Sequence, residues 1–133
     1  NMVYVLDTKD ELDKLTKYLN EFFKELINLI PELNDYDKRL ESKENSLIAE
    51  NFMFYGYMAI SQLLYSVPNW KEKMPLILQL DFSKDSKLWY GKVIKRGKKK
   101  GYSIINSNDS RRAMINRINM EFNQLLHKND SED

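Results

Sequence analysis

The sequence contains no cysteine. That absence excludes disulfides, thiolate metal sites and cysteine nucleophiles, and it suits a reducing cytoplasm, the compartment expected for this chain. Histidine occurs once, as His127. A metal site or a histidine-based triad needs partners that the chain does not supply, so His127 reads as an exposed residue near the end of a terminal helix, where a cation suits the dipole. Glu50, Asn51, Ser61 and Gln62 interrupt the longest apolar run with polar groups, so no transmembrane helix and no membrane partner are expected. There is no secretory apolar segment at the start. Glycine is scarce, and Gly97 and Gly101 lack the spacing of a nucleotide-binding loop. No cofactor is expected, and the reading leans against an enzyme.

The acidic residues do not change that view. Asp10, Glu11 and Asp13 crowd what reads as a first helical turn and serve its dipole. Asp81 and Asp85 flank a turn that they can cap. Glu50 sits in the most apolar stretch of the chain, and with Asn51 it is expected to mark the narrow exposed edge of a helix.

What is present is a helical pattern. Thr8 and Glu11 have capping-box spacing, and Leu12, Leu15, Leu19, Phe22, Phe23, Leu26, Ile27 and Ile30 repeat with the helical period. The spacing predicts a helix over residues 9–30, closed by Pro31. Residues 31–45 are polar and turn-rich, with one helical turn around Tyr36 to Leu40. The run 46–66 is apolar nearly all round, which predicts a central helix enclosed by others. Gly56 lies inside it at a cost of about 1 kcal/mol relative to alanine, a cost that close approach of a neighbouring helix would explain. Pro68 ends that helix, and Asn69 and Glu72 have capping-box spacing for a short one from Trp70 to about Leu80, with Pro75 inside it. Two β-prone runs, 92–95 and 102–105, flank a glycine-containing loop and predict a short hairpin. A last helix is expected over 109–127, with Met114, Ile115, Ile118, Phe122, Leu125 and Leu126 inward. The fold class expected is mainly α: a small bundle around a central buried helix (about 46–66), with a short β-hairpin (about 92–105). The 133 residues form a single helical domain by size, without an internal repeat. Asn1 before Met2 suggests a piece of a longer protein.

The strongest chemical feature is a basic segment. Lys92, Lys95, Arg96, Lys98, Lys99 and Lys100 place six cations in nine residues, and Arg111, Arg112 and Arg117 follow. Residues 1–66 carry 7 Lys+Arg against 12 Asp+Glu, and residues 67–133 carry 14 against 8, so an acidic half precedes a basic one. Lysines on a hairpin tip neutralise phosphates at any sequence, and helix arginines position a duplex. Trp89, Tyr90 and Tyr102 bracket the loop and are candidates for stacking on unpaired bases. Lys92, Lys95, Arg96, Lys98, Lys99, Lys100, Arg111 and Arg112 are therefore the candidate DNA-binding residues. Opposed to this stands a solvated loop whose lysines protect a β edge, with the two halves pairing across the fold.

The segment from Leu80 to Ile94, followed by Arg96-Gly97-Lys98, resembles the DGQHR-domain proteins, a group that includes the DndB-type proteins of DNA sulfur modification (phosphorothioation). Ser83, Trp89, Gly91 and Gly97 match their pattern, while Phe82 stands where that pattern has tryptophan and the DGQHR signature itself is absent. The helix running to Pro31 and the helix like Ile48–Leu64 follow the same order. The resemblance implies the helical C-terminal part of a longer protein, a role in regulating phosphorothioation genes or a related DNA defence system, and no catalytic residues. The partners expected are DNA, the remainder of a parent protein, or a second copy. The alternative is a protein-interaction or dimerisation domain without nucleic acid, using exposed Tyr and Phe of the central helix.

Overall fold

A computed structural model describes the backbone of residues 2–96, 102–105 and 107–131, and the side chains of 8–95, 103–105 and 107–128. Five α-helices and one two-stranded sheet follow in the order α1 (Met2–Leu29), α2 (Tyr36–Ser42), α3 (Met53–Leu64), α4 (Trp70–Lys73), β1 (Ile94–Arg96), β2 (Tyr102–Ile104) and α5 (Asn108–Ser131). The mainly α class with a short hairpin is the fold the sequence predicts.

α1 begins well before the expected start, so Thr8 lies inside the helix and not at its N-terminus. Asp10, Glu11 and Asp13 likewise lie beyond its first turn. Its inward stripe is Tyr18, Phe22, Leu26 and the following Ile30, all buried. Pro31 imposes its φ on a single 3₁₀ turn, Pro31–Leu33, and Ile30 before it is extended. Asp35 then accepts from the Lys38 backbone N–H at 3.0 Å and caps α2.

α3 starts seven residues later than the apolar run suggests. Residues 46–52 are held in turns by long-range bonds: the Leu47 N–H donates to the Phe82 carbonyl at 2.8 Å, and the Lys84 N–H to the Asn45 carbonyl at 2.9 Å. The Tyr57 hydroxyl donates to the Ile48 carbonyl. Glu50 and Asn51 accordingly sit in the turn before α3, not along an edge of it. Within α3, Met53, Tyr57, Ile60 and Leu64 face the core, while Phe54 and Tyr55 remain exposed. Gly56 meets α5: a β-carbon there would stand 2.9 Å from the Met114 and Met53 sulfurs and 3.4 Å from Ile118. Close approach of a second helix is the reason for this glycine.

The helix expected over 70–80 divides. α4 gives way to a 3₁₀ stretch, Met74–Gln79, because Pro75 has no N–H for a continued α-helix. Met74, Leu76 and Ile77 still reach the core. Asn69 does not complete a capping box; its side-chain amide donates to the Glu72 carboxylate at 3.2 Å instead. The segment 81–93 is a chain of turns fixed by Trp89, whose indole N–H donates to the Asp81 carbonyl at 2.8 Å. Gly91 turns the chain with φ +91°, a conformation other residues adopt at a cost. β1 and β2 pair antiparallel, with Ile94 opposite Ile104, Lys95 opposite Ser103 and Arg96 opposite Tyr102. Ser107 and Ser110 cap α5 reciprocally, each side-chain oxygen accepting from the other's N–H at 3.1 and 3.0 Å. Met114, Ile118, Phe122 and Leu126 join residues from every other helix region but α2 in one continuous apolar core.

Candidate nucleic-acid interface

Of the basic candidates that the structure describes, Lys92 and Arg112 meet where the hairpin returns to α5. Gly91 leaves Lys92 exposed at the turn into β1, and Lys95 is exposed on β1 itself. The Ser107–Ser110 cap starts α5 beside them, which brings the exposed Arg112 to the same place. Lys92 and Arg112 line one open cleft of about 530 Å³, with Ser107, Asp109 and Ser110 on its floor. The positive end of the α5 dipole and two cations face this cleft, and Asp109 offsets part of that charge. Arg96 contributes its backbone to β1, while Lys98, Lys99 and Lys100 lie outside the described residues.

Arg111 points elsewhere. It is half-buried between α5 and α3, with its guanidinium 5.3 Å from the centre of the Tyr55 ring and Nη1 donating to the Tyr55 hydroxyl at 3.2 Å. Its Nε is buried without a hydrogen-bond acceptor, against the usual pattern for a guanidinium. Arg117 is also half-buried.

The stacking residues expected from the sequence need correction. Trp89 is 1% exposed and tied by its indole N–H, so it is part of the core and offers no face to a base. Tyr90 is 58% exposed, and the Tyr102 side chain lies outside the described residues. The aromatic ring that does stand beside an arginine of this segment, Arg111, is Tyr55, 44% exposed. It is distant in sequence from the basic segment. Only the tight packing at Gly56 hints at it, since a helix pressed onto Gly56 lies beside the residue before it.

The acidic candidates also find structural positions. Asp81 accepts from the Ser83 hydroxyl and, at 3.1 Å, from its N–H, which closes the turn as expected and holds its carboxyl below the usual range. Glu50 is half-buried, beside a small pocket of about 240 Å³ walled by Phe23, Leu26, Phe54 and Tyr57. His127 is exposed near the end of α5. No helix among the described residues is long and apolar enough to cross a membrane.

The DndB family model, described as DNA-sulfur modification-associated, matches residues 2–124. The chain belongs to the DndB family. No curated protein and no solved structure matches it. The match takes in nearly all of the helical body and associates the chain with DNA sulfur modification. In this DndB-family chain the described residues that carry the resemblance are architectural, while Gly97 lies outside the described residues. Phe82 is buried against Tyr57, with ring centres 6.2 Å apart, Ser83 closes the Asp81 turn, Trp89 fixes the loop, and Gly91 supplies a positive φ. They hold the hairpin against the helices and so set where Lys92 and Lys95 emerge.

Proposed function

We propose that this DndB-family chain is a non-enzymatic, regulatory module of a DNA sulfur modification system and that it contacts DNA through residues 92–112. The reading rests on one observation: Lys92 and Arg112, twenty positions apart in sequence, share an open cleft at the start of α5, with Lys95 exposed on the adjoining strand. Cations placed by rigid elements around an open concavity suit a phosphate backbone, which is long, anionic and read without chemistry. Lys98, Lys99 and Lys100 follow directly in the chain and extend the same charge.

Fluorescence anisotropy with a labelled duplex tests this at two salt concentrations. Binding is expected to weaken steeply with salt, since each neutralised phosphate contributes about −0.9 to the slope of log K against log salt. Lys92→Glu/Arg112→Glu and Lys98→Glu/Lys99→Glu/Lys100→Glu are each expected to lower affinity and flatten that slope. A wild-type chain that leaves the duplex free at low salt would sink the proposal.

A further inference from the structure

Two exposed aromatic side chains stand side by side in sequence on the first turn of α3, each held by a different neighbouring helix. Phe54 is 52% exposed and stacks on Phe23 of α1, with ring centres 5.4 Å apart and planes 10° apart. Tyr55, its neighbour, is 44% exposed and carries the Arg111 guanidinium against its ring. Arg111 also donates to the Tyr55 hydroxyl, so ring and cation are fixed relative to each other. The next residue on α5 is Arg112, in the basic cleft. Large aromatic side chains left in water forgo burial of apolar area, and nothing described packs over the outer faces of these two.

We infer that Phe54 and Tyr55, braced by Phe23 and Arg111, form a stacking ledge for unpaired bases of a DNA strand whose phosphates lie on the basic cleft. The inference rests on the proposed DNA contact and adds the form of DNA that this face takes. A π-face accepts any base, and an arginine against the ring adds cation–π attraction to a strand that passes over it. The occupant is argued from charge. Arg111 lies against the Tyr55 ring and the following residue, Arg112, lines the basic cleft, and these cations suit a polyanion better than an apolar peptide. A paired duplex keeps its bases stacked on one another and has none to offer the ledge, so it engages the cleft alone.

The test uses the 133-residue chain and three labelled DNAs of one sequence: single strand, blunt duplex, and duplex with a single-stranded overhang. The single strand and the overhang are expected to bind more tightly than the blunt duplex. Tyr55→Leu is expected to reduce single-strand affinity about 5- to 150-fold, the range of one lost base stack, with little change for the blunt duplex. Tyr55→Phe keeps the ring and is expected to retain most of the preference. A 2-aminopurine base in the single strand should be quenched by the wild-type chain and by Tyr55→Phe, and not by Tyr55→Leu. That signal reports stacking and would not follow from a structural role of Tyr55. Equal affinity for single strand and blunt duplex, or a Tyr55→Leu loss that is the same for both, overturns the ledge and leaves the duplex contact standing. Absence of binding to all three DNAs overturns both, and leaves a protein partner for these aromatic faces.

Discussion

Burial pushes the Tyr18 hydroxyl up to about 12, with neighbouring Tyr65 adding to the shift, and it raises Tyr57 further in the same direction. Both phenols donate to main-chain carbonyls inside the fold, Tyr18 to Ser61 at 2.6 Å and Tyr57 to Ile48. A phenol with a raised pKa keeps its proton in the folded chain while the unfolded chain loses it. Its contribution to stability is therefore complete below the ordinary value of 10 and is lost as pH rises from there to about 12 for Tyr18. Melting temperature is expected to fall across that window, and Tyr18→Phe to remove part of the fall. A Tyr18→Phe chain with the same alkaline slope as wild type would show that this phenol does not carry it. Neither tyrosine's position is marked by the local sequence, because the carbonyl that each one meets belongs to another element.

At the scale of elements, α1 divides into two halves with different duties. Residues 8–17 are exposed all round, and Leu12 and Leu15 remain 58% and 39% accessible, whereas Phe22, four residues beyond Tyr18, is fully enclosed. The same leucine stripe runs through both halves, so periodicity alone assigns both to the core. Leu12→Ser/Leu15→Ser is expected to change stability by about 0.5 kcal/mol or less, as exposed substitutions do. Phe22→Ala should cost about 3–5 kcal/mol through the cavity it leaves. Chemical denaturation of the two variants measures the contrast, and a large loss in the leucine variant would mean that the front half of α1 is covered in solution. The start of α3 has the same lesson: Leu47 and Ala49 are buried as an apolar run should be, but in a turn that pairs with Phe82 rather than in a helix. Tertiary hydrogen bonds overrode a local preference that the sequence states clearly.

At the scale of the molecule, the two charge halves meet along the contact between α3 and α5. The acidic residues 1–66 supply α1 to α3 and the basic residues 67–133 supply the hairpin and α5. Within the described residues one ion pair is formed between halves, Lys71 with Glu21 at 3.8 Å, and both side chains are about half exposed. The pair is worth little in water and adds little to the stability of the fold. The exposed apolar residues Leu12, Tyr36, Leu78 and Met120 are scattered over α1, α2, the 3₁₀ stretch and α5, a distribution common on monomers. Sedimentation velocity is expected to return the mass of one chain, 15.9 kDa, at low and high concentration alike. A mass that rises with concentration and survives high salt would favour apolar self-association through Phe54, Tyr55 and Tyr65 over the DNA reading.

The sequence by itself determined the number and order of the main helices, their ends at Pro31 and Pro68, the hairpin, the reason for Gly56 and the basic segment, because each is written in neighbouring residues through period, capping and punctuation. The resemblance at Phe82, Ser83, Trp89 and Gly91 also lay in one contiguous stretch, and the DndB family match extends it to most of the chain. Only the tertiary structure decided that Trp89 is core and that Tyr55 stands beside Arg111. It alone brought Lys92 and Arg112 to one cleft and left residues 8–17 of α1 exposed. Those outcomes depend on which surfaces meet across tens of residues. Burial is a property of the meeting, and a pattern of apolar residues states only which surfaces are able to take part.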